Sequence, residues 1–382
     1  MIFRRIGRKA RAAPDAHAVI DHPASGDTVD RFAFPVEGWA WLGPDQERIA
    51  AIEAFAGEER AGETPLLFPR PDVAAALALP ALASPGFRLV ASAGHSPRGA
   101  DIDLRIRARF DDGSRSGWLS GRSVRTWGEP APDRPGLAIP SADAVRERPS
   151  ATASLPLPPD HLQVRQVGGA WGAAFYREGR VILSQVEAAF AQAGKPLGEA
   201  RAILDFGCGC GRVLAGFADL PHRGELWGCD IDAEAIAWDS ANLAPLAAFR
   251  VNGAMPPTSF AQGEFDAVYS VSVFTHLPEE MQFAWLSELR RIVRPGGVVV
   301  ASVHGGHYCK DAHPDVCAEV ATRGFSYRTG AITAGLPDFY MVAMHSETYV
   351  RAKWTRFFEL AAYHERLIHD AHDAVVLRRR DD

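Results

Sequence analysis

Cysteine and methionine are scarce in this sequence, with five of each in 382 residues. Five cysteines are too few for a disulfide framework, and we expect reduced thiols in a cytoplasmic protein. No stretch approaches the run of about 18 apolar residues that marks a membrane-spanning helix. A basic excess is also missing, because the formal net charge is -6. Nucleic acid is therefore not an expected partner, and small molecules or neutral polymers are favoured.

The N-terminal tail, residues 1–14, is the part of the chain with a local basic excess. It begins MIFRRIGRKARAA, which contains five basic residues and no acidic one. No apolar segment follows it, so the pattern is not that of a secretory signal. Two interpretations remain open: a frayed, solvated tail, and a weak, reversible contact with anionic lipid.

A proline-rich segment divides the chain into two halves of different character. Residues 129–160 contain eight prolines, which predicts a semi-extended linker. The pattern of residues 15–128 predicts short strands separated by turns, which favours an antiparallel β-sandwich. Residues 161–382 alternate helix and strand patterns, which favours a parallel sheet with helices on both faces. The first helix of this half is predicted at about 172–193, and GRVLAGFADL is predicted to form the helix after the first strand.

The sequence ILDFGCGCGRVL, residues 203–214, is the most informative motif. An apolar strand reaches Asp205, and Gly207, Gly209 and Gly211 then recur at every second position. Glycine lets the backbone turn sharply and lets a ligand lie against the peptide planes. Asp230 ends the next strand, 23 residues after Gly207, where a carboxylate can accept both hydroxyl groups of a ribose.

A dinucleotide-binding fingerprint does not fit this spacing. The pattern G-x-G-x-x-G would end at Arg212 if counted from Gly207, and at Leu214 if counted from Gly209. Asp205 would also place a carboxylate beside a pyrophosphate, which is electrostatically unfavourable. The same carboxylate favours a cationic ammonium or sulfonium ligand.

These motifs resemble those of the class I S-adenosylmethionine-dependent methyltransferases, over about residues 155–380. ILDFGCGCGR is similar to the first motif of that family, and GCDID, residues 228–232, to its ribose-binding segment. FDAVYSVSVFTHL and LRRIVRPGGVVVASVHG are similar to the motifs at its fourth and fifth strands. The resemblance implies an α/β Rossmann-like domain with a seven-stranded, mostly parallel sheet, whose last strand is antiparallel and which uses S-adenosylmethionine.

The resemblance also implies which residues hold this cofactor. The three motif glycines would line its methionine portion, Asp205 would lie near its ammonium group, and Asp230 would hold the ribose. The cofactor-binding set that the resemblance predicts is Asp205, Gly207, Gly209, Gly211, Asp230, Ile231, Asn252 and Ser270. Within it, Asn252 would face the adenine amine, and Ser270, at the end of the fourth strand, would face the cofactor.

The methyl acceptor is less clearly indicated. The fourth strand ends in SVSVFTHL in place of the Asn/Asp-Pro-Pro-Tyr or Phe of amino-group methyltransferases, so methylation of amide or nucleobase nitrogen loses support. VEGWA at 36–40, RPDV at 70–73 and PGF at 85–87 resemble an immunoglobulin-like module of bacterial glycosyltransferases and related glycan-modifying enzymes. This favours a saccharide or another hydroxyl-bearing acceptor. The alternative is a non-catalytic scaffold that binds a glycan or a glycosyltransferase.

Two histidines that follow strand ends, His276 and His304, are the candidate general bases. An ordinary imidazole would give a rate that rises with pH through about 6.5. A structural role for His276, with catalysis by alignment alone, is the competing interpretation. The cluster His304, His307, Cys309, His313 and Cys317 lacks the tight C-x-x-C pairs of zinc sites. We therefore predict no metal, and expect this segment to contact the acceptor or to lie on the surface.

Overall fold

The computed structural model describes residues 17–29, 34–65, 67–79, 85–91, 93, 96, 99–126, 136–222, 224–310, 314–328 and 337–381. The chain forms two compact units, Met1–Pro130 with Val167–Trp171, and Ala131–Gln166 with Gly172–Asp382. The basic tail, residues 1–14, lies outside the described residues. None of the helices in the described ranges combines the length and hydropathy that crossing a membrane requires.

The first unit is built almost entirely from strands. They are β1 (His17–His22), β2 (Thr28–Val29), β3 (Phe34–Trp41), β4 (Ile49–Ala56), β5 (Glu59–Thr64), β6 (Leu67–Phe68), β7 (Gly86–Ala91), β8 (Asp101–Phe110) and β9 (Ser120–Thr126). One short helix, α1 (Pro71–Ala76), begins with a proline at its first turn. These strands form a four-stranded sheet, β1-β3-β7-β6, and a five-stranded sheet, β2-β9-β8-β4-β5.

The two sheets of this unit share one hydrophobic core. Alternate residues of β3, such as Phe34 and Val36, pack in the same cluster as Leu104 and Ile106 of β8. This alternation of buried and exposed positions is what strands with one buried face require. The assignment to an immunoglobulin-like sandwich remains a prediction.

The segment predicted to be a semi-extended linker contains regular structure in its described part, residues 136–160. Helix α2 (Ala142–Glu147) begins at Ser141, whose side chain accepts a hydrogen bond from the backbone N–H of Ala144. Arg146 of this helix donates two hydrogen bonds, at 2.8 and 2.9 Å, to the buried carboxylate of Glu178. A capped helix held by a buried ion pair forms here because the prolines lie outside the six helical residues.

The second unit contains the remaining elements. Its helices are α2, α3 (Asp160–Val167), α4 (Ala174–Gln192), α5 (Ala233–Asn242), α6 (Glu279–Ile292), α7 (Pro314–Arg323) and α8 (Glu347–Lys353). Its strands are β10 (Ala202–Phe206), β11 (Glu225–Asp230), β12 (Ala248–Val251), β13 (Phe265–Ser270), β14 (Val293–Val303), β15 (Phe325–Arg328), β16 (Val342–His345), β17 (Glu359–Ile368) and β18 (His372–Arg378).

Seven of these strands form one sheet in the order β12-β11-β10-β13-β14-β18-β17. The first five run parallel, and β18 pairs antiparallel with both β14 and β17. The predicted α/β class, the strand number and the antiparallel last strand are therefore confirmed. The strand order reverses at β10, which places the carboxyl ends of β10, β11 and β13 beside one another. In open α/β sheets this reversal is where ligands bind.

Helices cover both faces of this sheet, which explains why its central strands are mostly apolar and buried. On one face, Trp285 and Leu289 of α6 pack with Leu204 and Val268. On the other face, Ile182 and Val186 of α4 pack with Ile203 in a second cluster. The rigid sheet holds the loops at its carboxyl edge in fixed positions.

One local prediction was wrong. GRVLAGFADL forms only a short 3-10 turn at Leu214–Ala218, because the glycine motif continues as turns up to it. The fourth strand ends at Ser270, as expected, and Ser272 beyond it adopts a φ of 62°, which a strand does not accommodate. The hairpin β15–β16 was not predicted, since its two short strands are separated by residues with no strand pattern.

Candidate active site

The glycine motif forms a loop between β10 and the 3-10 turn. Gly207, Gly209 and Gly211 all have positive φ, at 82°, 56° and 72°, a conformation that costs other residues free energy. The backbone N–H of Gly209 donates a 2.8 Å hydrogen bond to Oδ2 of Asp230. Oδ1 of Asp230 accepts another from the backbone N–H of Asp232 at 2.9 Å. The loop and the end of β11 are thus joined through one carboxylate.

Helix α3 packs over this loop. Gln166 Oε1 accepts a hydrogen bond from the backbone N–H of Cys210 at 3.2 Å, and its Nε2 donates to the carbonyl of Cys208 at 3.3 Å. Arg165 donates hydrogen bonds to Asp232 at 2.6 Å and to Glu234 at 2.9 Å. These contacts hold α3 against both the glycine loop and the first turn of α5.

A cavity of about 400 Å³ lies at the carboxyl edge of the sheet, between α3 and the ends of β10, β11 and β13. This volume is in the range of small-molecule sites. Its lining includes Gly207, Gly209, Asp230, Ile231, Asn252 and Ser272. Phe206 and Trp285 contribute apolar surface, with ring centroids 4.7 Å apart. Arg212 and Tyr340 line another part of the wall.

Asn252, just after β12, carries a side-chain oxygen suited to a ligand. Its Nδ2 donates to the carbonyl of Gly253 at 2.8 Å, which fixes the amide orientation. Its Oδ1 is buried and has no hydrogen-bond partner among the described residues. A buried acceptor without a partner is costly. This oxygen therefore favours a ligand that presents an N–H or O–H donor.

Carboxylates cluster beneath the loop, and burial raises their pKa values. The pKa of Asp205, at the end of β10, rises to about 8, with the nearby charge of Asp230 adding to the effect of burial. Burial also raises the pKa of Asp230. Asp239 of α5 is fully buried, and desolvation together with Asp205 and Asp230 raises its pKa to about 9. A cationic ligand beside these groups would favour their ionised forms.

The segment after β13 carries the predicted base His276. Its Nδ1 lies 2.7 Å from the carbonyl oxygen of Met341, and its Nε2 lies 3.4 Å from Oγ of Ser272. The ring stacks on Tyr340 with centroids 4.0 Å apart and an interplanar angle of 16°. Burial lowers the pKa of His276 to about 4. The imidazole is therefore neutral at physiological pH.

His304, at the end of β14, lies in a cluster of aromatic rings. Its ring centroid is 6.0 Å from that of His276, 4.9 Å from that of His372 and 4.2 Å from that of Tyr308. Its Nδ1 lies 3.1 Å from the carbonyl oxygen of Ala343. Burial, followed by the neighbouring histidines, lowers the pKa of His304 well below its ordinary value.

Comparison with known proteins identifies this part of the chain. Residues 203–297 match the family described as "Methyltransferase domain". This segment is a methyltransferase domain. It is of the S-adenosylmethionine-dependent class, as the resemblance of its four motifs implied.

Two curated relatives match parts of the same region. The 2-methyl-6-phytyl-1,4-hydroquinone methyltransferase of Synechocystis sp. is 36% identical over 105 residues, covering 26% of this chain and 31% of the relative. A probable methyltransferase of Aspergillus luteorubrus is 28% identical over 107 residues, covering 25% of this chain and 38% of the relative. The chain thus spans about a third of the length of these relatives.

Similar solved structures have low sequence identity. An S-adenosylmethionine-dependent methyltransferase from Methanosarcina mazei has a TM-score of 0.38 and 19% identity, covering 48% of this chain and 94% of that one. One from Aquifex aeolicus has a TM-score of 0.36 and 14% identity, covering 58% of this chain and all of that one, 100%.

The residues of the methyltransferase domain fit S-adenosylmethionine. The unpaired Oδ1 of Asn252 can accept from an adenine amine, and Asp230 presents a carboxylate at the same cavity. Five of the ten predicted site residues line the cavity: Gly207, Gly209, Asp230, Ile231 and Asn252. The particular role of each one remains a prediction.

The other five predicted residues do not line the cavity. Asp205 is buried behind the loop, and Ser270 has no exposed surface. A Cβ on Gly211 would meet Leu243 at 2.5 Å, so this glycine allows close packing of α5 and the loop. His276 and His304 are separated from the cavity because Tyr340, which lines it, stacks on His276. The rise in rate through about pH 6.5 that an ordinary imidazole would give is not expected for these two histidines. Burial lowers the pKa of each imidazole.

Gly209 lies too close to helix α3 to carry a side chain without a local shift. A Cβ there would lie 2.5 Å from the amide group of Gln166. A valine would therefore displace Gln166 and strain a residue with positive φ. The substitution would therefore disturb local structure as well as any ligand.

Several residues that line the cavity were not predicted from the sequence. Leu162, Arg165 and Gln166 come from α3, whose short sequence carries no family motif. Ser272 lies two residues beyond the predicted Ser270. Tyr340 lies 68 residues after Ser272, and only the fold brings it near. The SVS repeat offered a signal for Ser272, since either serine could end the strand.

The His304–Cys317 segment does not form a metal site within the described residues, where no group of three suitable side chains could hold an ion. His307 Nδ1 lies 3.4 Å from Asp373, and Cys317 is a partly exposed thiol on α7. His313 and the side chain of Cys309 lie outside the described part of the chain.

Proposed function

We propose that the whole protein is an S-adenosylmethionine-dependent methyltransferase that methylates a hydroxyl group of a small molecule or glycan, with a saccharide as the favoured acceptor. The observation that carries the proposal is the convergence of Asp230, Asn252 and the glycine loop on one cavity. When bound there, S-adenosylmethionine supplies a methyl group on a sulfonium sulfur.

The residues of the cavity have separate parts in this proposal. Asp230 binds the ribose hydroxyls, and Asn252 Oδ1 accepts from the adenine amine. Helix α3, held by the Arg165 ion pairs, excludes water from one side. Alignment of the reacting groups supplies most of the rate increase.

A hydroxyl acceptor is supported by the polar groups beyond the cavity. A hydroxyl must lose its proton as it gains a methyl group, and the neutral His276 provides an acceptor for a proton close by. The saccharide preference rests on the resemblance of residues 36–40, 70–73 and 85–87 to the immunoglobulin-like module. The reduced, buried cysteines support a cytoplasmic location.

Two measurements on the full chain test this proposal. Calorimetry with S-adenosylhomocysteine should show binding that a folded Asp230→Ala variant weakens. Incubation with [methyl-³H]S-adenosylmethionine and a small-molecule and glycan extract should place base-stable label on oxygen. Label on nitrogen or carbon would overturn the hydroxyl assignment. Failure to bind S-adenosylhomocysteine would favour the scaffold alternative.

A further inference from the structure

Ser272 has a backbone conformation that is unusual for a residue with a side chain. Its φ is 62°, and non-glycine residues held in this region cluster at functional sites. Its backbone N–H donates a 2.7 Å hydrogen bond to Oγ of Ser302 on β14. The neighbouring strand thus fixes Ser272 at the cavity wall, which it lines.

The hydrogen bonds around His276 define which ring nitrogen accepts. Nδ1 lies 2.7 Å from the carbonyl oxygen of Met341. Since a carbonyl oxygen only accepts, Nδ1 carries the hydrogen, and the neutral ring leaves a lone pair on Nε2. Nε2 lies 3.4 Å from Oγ of Ser272. The Ser272 hydroxyl is therefore the donor in this contact.

Ser272 connects the cavity to His276. The imidazole is partly buried, and Tyr340 stacks on it with ring centroids 4.0 Å apart. Tyr340 and Ser272 line the cavity, and His276 does not. A molecule in the cavity can therefore reach the Ser272 hydroxyl directly, and that hydroxyl contacts Nε2 of His276.

We propose that Ser272 is a catalytic residue that relays the acceptor proton to His276; this inference rests on the proposed methyl transfer to oxygen. The acceptor hydroxyl donates its proton to Oγ of Ser272 as its oxygen forms the bond to the methyl carbon. The hydroxyl proton of Ser272 moves at the same time to Nε2 of His276. Ser272 ends with one hydroxyl hydrogen, as it began, and His276 gains one proton and one positive charge.

The charge of the site is unchanged by this relay. The bond between the methyl carbon and sulfur breaks as the new carbon–oxygen bond forms, so one positive charge is lost at sulfur and one is gained at His276. The partly exposed imidazolium then returns its proton to solvent after product leaves. A relay of this kind accounts for a neutral imidazole next to a serine with positive φ.

Nuclear magnetic resonance of the histidine rings tests the relay without turnover. The full chain is labelled with ¹⁵N-histidine, and the His276 resonances are assigned by their loss in His276→Gln. In Ser272→Gly, which accommodates the positive φ, the Nε2 resonance should move downfield because its hydrogen-bond donor is gone. Ser240→Ala is the matched control, since Ser240 donates to Ile236 within α5. An unchanged Nε2 resonance in Ser272→Gly would overturn the relay.

Methyl transfer to the acceptor found with labelled donor gives the second readout. Ser272→Gly and Ser272→Ala should each lower kcat by about 10²-fold or more, with S-adenosylhomocysteine affinity changed by less than about threefold. Equal kcat in wild type and Ser272→Gly would overturn the relay alone. A wild-type protein that binds S-adenosylhomocysteine but labels nothing would overturn the proposed function and the relay together.

Discussion

The backbone N–H of Gly209 donates a 2.8 Å hydrogen bond to the carboxylate of Asp230. This contact joins the first glycine motif to the end of the neighbouring strand, 21 residues later. The same carboxylate lines the cavity, so it both shapes the loop and presents oxygen atoms to a ligand. A carboxylate suits both tasks, because each of its two oxygens accepts a backbone hydrogen bond and has a further lone pair for a ligand.

Asp230→Ala should weaken S-adenosylhomocysteine binding by about 10 to 150-fold, because a charged hydrogen bond contributes roughly 1.5 to 3 kcal/mol. Calorimetry on the folded variant measures the change. Asp230→Asn is the matched control, which keeps the shape and one acceptor oxygen and should have an intermediate affinity. Native affinity in Asp230→Ala would show that Asp230 does not bind the ribose.

Asn252 should determine selectivity for the 6-amino group of adenine. Wild type should bind S-adenosylhomocysteine more tightly than S-inosylhomocysteine, which has a carbonyl in place of the amine. Asn252→Ala should reduce this preference by about tenfold, since one neutral hydrogen bond contributes about 1 kcal/mol and leaving Oδ1 unpaired costs more. Competition binding with the two nucleosides measures the ratio. A ratio that is unchanged in the variant would exclude contact between Asn252 and the amine.

Gly211→Ala should destabilise the fold by a steric contact. A Cβ at this position would lie 2.5 Å from Leu243 and 3.3 Å from Asp239. Gly194→Ala is the matched control, because its φ of 71° is similar and no heavy atom lies within 4 Å. We expect Gly211→Ala to lower the free energy of unfolding by about 1 to 3 kcal/mol more than Gly194→Ala. Urea unfolding measures the free energy of unfolding of both variants. An equal decrease in the two would show that the loop shifts to accommodate the Cβ at position 211.

Asp239 should make stability fall as pH rises. Its folded-state pKa of about 9 lies above the ordinary aspartate value of about 3.9. The folded state therefore holds the proton more tightly, and this contribution is complete below about pH 4 and is lost as pH approaches 9.

Asp239→Asn removes this titration. The variant should gain about 1 to 4 kcal/mol relative to wild type between pH 5 and pH 8. Urea unfolding at both pH values checks this, with Glu280→Gln as a control that removes an exposed carboxylate of α6. A gain that is equal at both pH values would mean that Asp239 is already ionised at pH 5.

Turnover should show no inflection near pH 6.5. Because burial lowers the pKa of His276 to about 4, the imidazole stays neutral and able to accept a proton from about pH 5 upward. The rate should fall only as pH drops toward 4. His276→Gln should keep S-adenosylhomocysteine affinity, lose about 10²-fold in kcat, and abolish this acidic fall. An inflection at 6.5 that survives in the variant would assign it to another group.

The sequence predicted the donor side of the site better than the acceptor side. The glycine motif, Asp230 and Asn252 lie in or directly after strands β10 to β12, where strand period and turn residues determine position locally. The parallel sheet then brings these strand ends together. Five predicted residues line the cavity for this reason.

The remaining residues depend on contacts that no local pattern encodes. Gln166 reaches the loop from α3, 42 residues before Cys208. Tyr340 and Met341 contact His276 from a segment about 65 residues later. The choice between Ser270 and Ser272 depended on a single residue with positive φ, and propensity alone does not reveal where a strand stops.

Strand β18 lies between β14 and β17 in the sheet, although β17 precedes it in the chain. During synthesis on the ribosome, β17 emerges before the strand that will join it to the rest of the sheet. The strands of the donor site can pair as they appear, whereas β14 keeps an open edge until residues 372–378 have emerged. Completion of the sheet is thus a late event, and a nascent chain held short of β18 should be the form most exposed to chaperones and proteases.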